Sequence, residues 1–434
     1  VADSVRPAVP GFPDRLNKAC QDVLTLWDRA SPVPPALGPK VGLWQQRSNA
    51  RAAARLIDEI ASEIVRLPDE ESERQQWRER VRARLQSFGN DRLGWPDGYR
   101  RLLFGDGFYE SSVAFARAAR AFDPGVTIEQ LGQALRNVWI GNSLQMLLDR
   151  PVKMRPGLFA YSMLYPVTDN WLDDTRVSRD VKRSFNLRFR ERLAGHPVNP
   201  VSEHEAAVGW LVSQIEQELP REQFPDVYAS LLAIHGGQTR SLDQHENGGC
   251  RLTDRDLLLI SFGKGGASVM ADLYLVAPEP DPTEEQFAFG YGAFLQLLDD
   301  LQDVHADLAA GHETLFTRAA HVGLLDTLTA RLARFIDEVL ATSARFQGPE
   351  YADRIDLIRR NSYALLVGSI SEQPRRFSRR FRRQLARRWP ISFRASRKLR
   401  RRALSRWNAL RASGSIPDPS AWPEPTAPTG AVRR

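Results

Sequence analysis

Apolar residues recur at helical spacing along most of this chain, and the period-two alternation of a half-buried strand is nearly absent. Ala53, Leu56, Ile57, Ile60, Ile64 and Val65 fall on one stripe and predict amphipathic helices between Trp44 and Arg84. Thr127 and Gln130 form a capping-box pattern ahead of a run that reaches Leu148 and is ended by Pro151. Pro156 suits the first turn of the next helix, where a missing N–H costs nothing, whereas Pro166 falls inside it and is expected to kink it. Further helices are legible over Glu203–Glu218, Phe224–Glu246, Thr253–Val276, Thr283–Ala310, Leu324–Phe346 and Tyr351–Ser371. The predicted fold class is all-α. Prolines crowd both ends: residues 1–40 read as a Pro-rich arm with one helix from Asp14 to Ala30, and residues 412–434, with Pro417, Pro419, Pro423, Pro425 and Pro428, read as a disordered tail.

Of the 434 residues 42% are hydrophobic and 26% charged, an ordinary soluble balance that can bury a large core. No run approaches the roughly 20 apolar residues of a membrane-spanning helix. The start shows no basic-then-apolar leader, and Cys20 and Cys250 are too far apart in sequence for a metal-type motif, so a cytoplasmic protein without zinc is expected. His204 and His245 lack the Glu-x-x-His spacing of a di-iron site, and Gly263-Lys264-Gly265-Gly266 lacks the spacing and preceding strand of a phosphate loop.

The net charge of +7 conceals an asymmetry. Arg375–Arg411 holds 16 of the 60 lysines and arginines and no acid, which leaves 44 basic against 53 acidic residues elsewhere. Phe377, Phe381, Trp389, Phe393 and Trp407 interleave with those arginines as in an interfacial amphipathic helix. Peripheral contact with an anionic membrane is therefore the expected partner. Nucleic acid is unlikely, because no recognised nucleic-acid motif accompanies the patch.

Two acidic clusters carry the chemistry. Asp169-Asn170-Trp171-Leu172-Asp173-Asp174 and Asp299-Asp300-Leu301-Gln302-Asp303 each follow an apolar helical run. Asp169 and Asp173 share a helix face, as do Asp299, Asp303 and Asp307. Paired acids are most often a solvated face, but carboxylates stacked beside apolar surface repel and lose hydration, and oxygen-only ligands favour a hard divalent cation. Two such clusters facing across an apolar cavity could hold a diphosphate through metal ions.

At these residues the chain resembles the class I isoprenoid synthases. Gly290-Tyr291-Gly292-Ala293-Phe294-Leu295-Gln296-Leu297-Leu298-Asp299-Asp300-Leu301-Gln302-Asp303 is similar to the second aspartate motif of trans-prenyltransferases, and Lys264-Gly265-Gly266 sits where that family places a diphosphate-contacting lysine. The first cluster departs from their D-D-x-x-D order and looks nearer to the bacterial class IB large-terpene synthases. The resemblance covers roughly residues 125–370. It implies an isoprenoid-synthase helical bundle around a central apolar cavity, spanning residues 41–373, with residues 374–411 a basic C-terminal segment.

The same resemblance implies Mg²⁺ as cofactor, bound by Asp169, Asp173 and Asp174 on one wall and by Asp299, Asp300 and Asp303 on the other. Asp169, Asp173, Asp299 and Asp303 are then the catalytic set. Lys264, Arg183, Arg251, Gln238, Gln296 and Asn142 are the expected substrate contacts, although Gln238 and Asn142 could equally be bonded core amides. Leu158, Ser162, Tyr165, Tyr291 and Leu295 are the expected cavity wall. The implied function is a Mg²⁺-dependent terpene synthase acting on a linear prenyl diphosphate. The alternatives are a prenyl diphosphate synthase or a squalene/phytoene-type condensing enzyme, and, outside enzymes, a helical membrane- or partner-binding protein. The reading allows a homodimer.

Overall fold

In the computed structural model the chain is all-α, as its periodicity predicts. The structure describes residues 11–414 except 69, 97, 174–175, 242–243, 245–251, 344–345 and 347–349, and it leaves the side chains of Glu71, Arg100, Arg101, Phe104, Asp106, Asp169, Asn170, Leu172 and Asp173 undescribed. The first part comprises α1 (Phe12–Arg29), α2 (Leu43–Val65), α3 (Glu71–Phe88), α4 (Gly98–Phe104) and α5 (Asp106–Phe122). The middle comprises α6 (Ile128–Leu147), α7 (Pro156–Asp173), α8 (Arg179–Leu193), α9 (Glu203–Glu218), α10 (Pro225–Ser241), α11 (Asp254–Val276) and α12 (Pro282–Ala310). Then follow α13 (Leu315–Val322), α14 (Asp326–Thr342), α15 (Tyr351–Glu372), α16 (Arg379–Ala386) and α17 (Phe393–Ala412). Helix starts follow side-chain chemistry. Thr127 with Gln130, Thr253 with Asp256 and Asp281 with Glu284 each satisfy otherwise orphaned N–H groups through reciprocal capping boxes. α7 continues through Pro166 to Asp173.

α11 is apolar on every side, with Leu257, Phe262, Met270, Leu273, Tyr274 and Val276 all buried, so it runs through the middle of the bundle against α12, α10, α6, α7 and α1. Its crossing with α12 is set by glycine. A Cβ on Gly292 would lie 2.0 Å from the Gly265 carbonyl oxygen, and one on Gly265 would lie 2.3 Å from that of Gly292. The two main chains therefore touch directly, with no side chain between them.

The Pro-rich start is not an arm beside the body. α1 buries Phe12, Val23, Leu24 and Trp27 in the main core, and its Arg15 donates to Asp226 of α10, Tyr274 of α11 and Glu285 of α12. The boundary expected between residues 373 and 374 likewise separates nothing. Phe377, just ahead of α16, stacks on Phe381 at 5.8 Å between centroids, both are buried with Leu385 in that same core, and Trp389 and Phe393 pack against it. α17 lies along α2: Gln46 Nε2 donates to the carbonyls of Ala386 and Trp389, Asn49 Nδ2 donates to that of Pro390, and Arg402 and Arg406 pair with Asp58. Of the expected Pro-rich tail, residues 412–434, Ala412 still belongs to α17 and residues 415–434 lie outside the described residues. Among those described, no helix is long and apolar enough to cross a membrane.

Candidate functional site

The glycine crossing fixes the position of two charged side chains. Lys264 directly precedes Gly265, Asp299 follows Gly292 by two turns, and both line one cleft. Leu164 of α7, Phe189 and Leu193 of α8, and Leu231 and Ile234 of α10 make its apolar wall. Its polar groups include Asn137 of α6, Tyr161, Tyr165 and Thr168 of α7, His235 and Gln238 of α10, Ser268 of α11 and Gln296 of α12. Six helices thus supply an apolar hollow with a charged mouth. The end of α7 is tied down by Trp171, whose ring stacks on His204 at 4.8 Å between centroids and meets Phe185 at 4.7 Å.

Electrostatics mark the α12 acids. Asp299 is open to solvent at the mouth yet surrounded mostly by protein. Burial pushes its carboxyl above the usual carboxylate range, Asp303 and Asp307 push it the same way, and Lys264 and Arg136 pull it down. Asp303 is raised chiefly by burial and then by Asp307, with Gln302 and Arg136 opposing. Among the described residues neither Asp299 nor Asp303 makes an ion pair, so Lys264 and Arg136 offset their mutual repulsion only at a distance. Asp300 differs. It is buried between α11 and α12, takes hydrogen bonds from Ser261 Oγ at 2.7 Å and Gln296 Nε2 at 2.9 Å, and burial pushes it up to about 6 against the pull of those two bonds. Under the hollow, Asn137 Nδ2 donates to Asp272 Oδ1 at 2.9 Å and to Ser162 Oγ at 3.2 Å. Asp272 is fully buried, its Oδ2 has no hydrogen-bond partner among the described residues, and burial raises its pKa well above the carboxylate range.

Of the expected site residues, the cleft brings together Lys264, Gln238, Gln296 and Asp299, with Asp303 one turn further along the Asp299 face. Asp300 points into the helix interface instead, with both oxygens engaged. Asn142 does not reach the cleft: fully buried, it accepts from Ser111 Oγ at 2.9 Å and serves as a core amide. Arg183 is exposed on α8 away from the lining residues. Arg251 and Asp174 lie outside the described residues, as do the side chains of Asp169 and Asp173. Their helix positions are informative nonetheless, since Asp169 and Asp173 continue by fours the stripe that contains the lining residues Tyr161 and Tyr165, and Thr168 beside them is a lining residue. Tyr165 is the one expected wall residue that lines the cleft. Leu158 is wholly buried, packed where a Cβ on Gly141 would meet it at 2.6 Å, and Ser162, Tyr291 and Leu295 stand behind the lining.

Asn137, Arg136, Tyr161, Thr168, Ser268 and His235 were not foreseen. Only Tyr161 and Thr168 carried a usable signal, their spacing from Tyr165. His235 bonds Asn186 through Nε2, and burial lowers its pKa.

No family model matches the sequence, and no curated protein matches it. Among solved structures the chain is similar to the squalene synthase HpnC from Alicyclobacillus acidocaldarius, with 15% identity over 60% of this chain and 98% of that one and a TM-score of 0.38. A superposition that loose assigns neither fold nor activity.

The donor chemistry fits a hard cation in part. Asp299 and Asp303 offer adjacent, unpaired, mutually repelling carboxylates at an open mouth, the arrangement that a divalent ion relieves. Among the described residues no group of three or more His, Cys, Asp or Glu could hold a metal unaided. Waters, phosphate oxygens or the α7 acids would have to complete the shell.

Proposed function

We propose that the chain ionises a linear prenyl diphosphate in this cleft with Mg²⁺ and releases a terpene hydrocarbon or alcohol. The supporting observation is that Thr168, next to the first aspartate cluster, and Asp299, which opens the second, line one apolar-walled cleft that also holds Lys264. Asp299 and Asp303 would bind the metal from α12, and Asp169 and Asp173 from α7. When bound, Mg²⁺ supplies neutralisation of the charge left on the departing diphosphate. Lys264 and Arg136 draw the diphosphate to the mouth, while the amides of Gln238 and Gln296 orient it. Leu164, Phe189, Leu193, Leu231 and Ile234 shield the allylic cation from bulk water, and the Tyr161 and Tyr165 rings offer their negative faces to it; the cation ends either by losing a proton to the released diphosphate, giving a hydrocarbon, or by capturing a single admitted water and losing a proton, giving an alcohol.

The test is incubation of purified protein with geranyl, farnesyl and geranylgeranyl diphosphates, each with and without Mg²⁺ and isopentenyl diphosphate, reading diphosphate release and extracted products. A metal-dependent hydrocarbon or alcohol formed without isopentenyl diphosphate is expected, and longer diphosphates would point to chain elongation instead. Asp299→Asn and Lys264→Gln should each lower turnover by about a hundredfold or more, the scale of losing a preorganised charge contact. Diphosphate release that is absent from all incubations, or undiminished in both variants, refutes the reading.

A further inference from the structure

We propose that the outer face of α16 and α17 seats the protein on an anionic lipid surface beside the mouth of the cleft. The inner face is already committed: Phe377, Phe381 and Leu385 hold α16 in the core, and Arg402 and Arg406 are spent on Asp58. What remains is exposed and cationic. Arg379, Arg380, Arg383, Arg394, Lys398 and Arg401 are exposed, and among the described residues none is paired with a carboxylate. No acid in the segment offsets them.

The face also carries apolar surface where a helix held only by phosphates has no use for it. Leu404 is 51% exposed and Trp407 39%, and Arg401, three residues before Leu404, neighbours the pair on the helix. A Leu–Trp pair beside a cationic face matches the headgroup–acyl boundary, where the apolar side chains enter and the guanidinium and ammonium groups stay with the phosphates. This favours lipid over nucleic acid, which the charge alone would not do.

Its place on the molecule follows from contacts made along α17. Arg400 reaches Glu372 at 3.9 Å, and the adjoining Gln373 donates to the carbonyls of Leu301 and Gln302, inside the α12 aspartate stretch. Further along, Arg411 pairs with Glu129 at 2.5 Å, two turns before Arg136 on α6. α17 therefore passes at the level of the α12 aspartate stretch and the start of α6. The surface exists whether or not the cleft ionises a diphosphate, and its test requires no turnover.

The full-length chain is sedimented with vesicles of phosphatidylcholine alone and of phosphatidylcholine with phosphatidylglycerol, at low and high salt. Binding to the anionic vesicles that falls steeply with salt is expected. Arg394→Gln, Lys398→Gln and Arg401→Gln together, all exposed, should weaken it by about a hundredfold while leaving the circular dichroism unchanged. Leu404→Ser with Trp407→Ser should remove the binding that survives high salt. Equal binding to neutral vesicles, unchanged binding by the triple variant, or preferential retention on duplex DNA or single-stranded RNA when vesicles are also offered overturns the proposal.

Discussion

Gly292→Ala tests whether the main-chain contact of α11 with α12 positions the site. The added methyl would lie 2.0 Å from the Gly265 carbonyl oxygen, whereas ordinary contact begins near 3.4 Å, so the crossing must open by roughly 1 Å. Overpacking where side chains can adjust costs about 1–3 kcal/mol, and a carbonyl held in a helix cannot rotate away, which puts the cost at about 3. Alanine in place of glycine within a helix returns about 1 kcal/mol. The expected net loss is about 2 kcal/mol, read from chemical denaturation followed by far-ultraviolet circular dichroism. Gly132→Ala on α6 is the control: nothing lies within 4 Å of its Cβ position, so it should be neutral or stabilising. Gly265→Ala and Gly292→Ala should be strongly non-additive, since either alone already opens the crossing. Because the same opening separates Lys264 from Asp299, diphosphate binding should weaken in step. A Gly292→Ala protein as stable as Gly132→Ala would refute the reasoning.

Three further outcomes are expected. Asp272 keeps its proton in the folded state above the pH at which an unfolded aspartate loses it, about 4, so the stability this group contributes is present below that pH and lost as pH rises; Asp272→Asn should flatten the decline, read as the difference in melting temperature between acid and alkaline buffers, and parallel curves for variant and parent contradict it. Arg15→Ala leaves the buried Glu285 without its cation and should cost about 3 kcal/mol in the same denaturation assay, with a loss below about 0.5 counting against the α1 anchor. Ending the chain after Glu372 removes Phe377, Phe381 and Leu385 from the core and should abolish soluble expression, whereas ending it after Ile391 removes α17 and the residues beyond it but keeps the contacts of Gln46 with Ala386 and Trp389; equal solubility of the two would contradict the packing.

The long helices were legible because one period dominates them: α9 spans Glu203–Glu218 as expected, and α11, α12 and α15 differ from their expected bounds by a single residue at one end. The faces were less so. α7 buries Leu158, Phe159, Ala160, Tyr161, Ser162, Met163 and Leu164 in succession, so its pattern cannot say which stripe meets the cleft, and the expected wall of 158, 162 and 165 became 161, 164, 165 and 168. Asn142 shows the same ambiguity, since a polar residue in an apolar run satisfies a core hydrogen bond as readily as it lines a hollow. α8 was overlooked because its many charged residues conceal Phe185, Phe189 and Leu193. Phe377 and Phe381 were read, among so many arginines, as part of an interfacial face, whereas they and Leu385 are buried in the core. The second aspartate cluster was legible from its spacing by fours after an apolar run, and Lys264 from the resemblance of its Gly-Gly neighbourhood to the trans-prenyltransferases; the structure gives those glycines a physical role.

The glycine crossing also bears on how the molecule can change. Lys264 and Asp299 are spaced by two backbones in contact, while Phe189 and Leu193 stand on α8 and Leu231 and Ile234 on α10, none of them at that crossing, although Gly237 of α10 packs on the Lys264 backbone. Substitutions at those four positions can therefore reshape the hollow while the glycines keep the charged pair in place, so the accommodated tail and the charged grip on its head can drift separately. A mutational library confined to these four positions should yield many folded variants with altered ligand preference, whereas one spread over Gly265, Gly266 and Gly292 should yield few that fold.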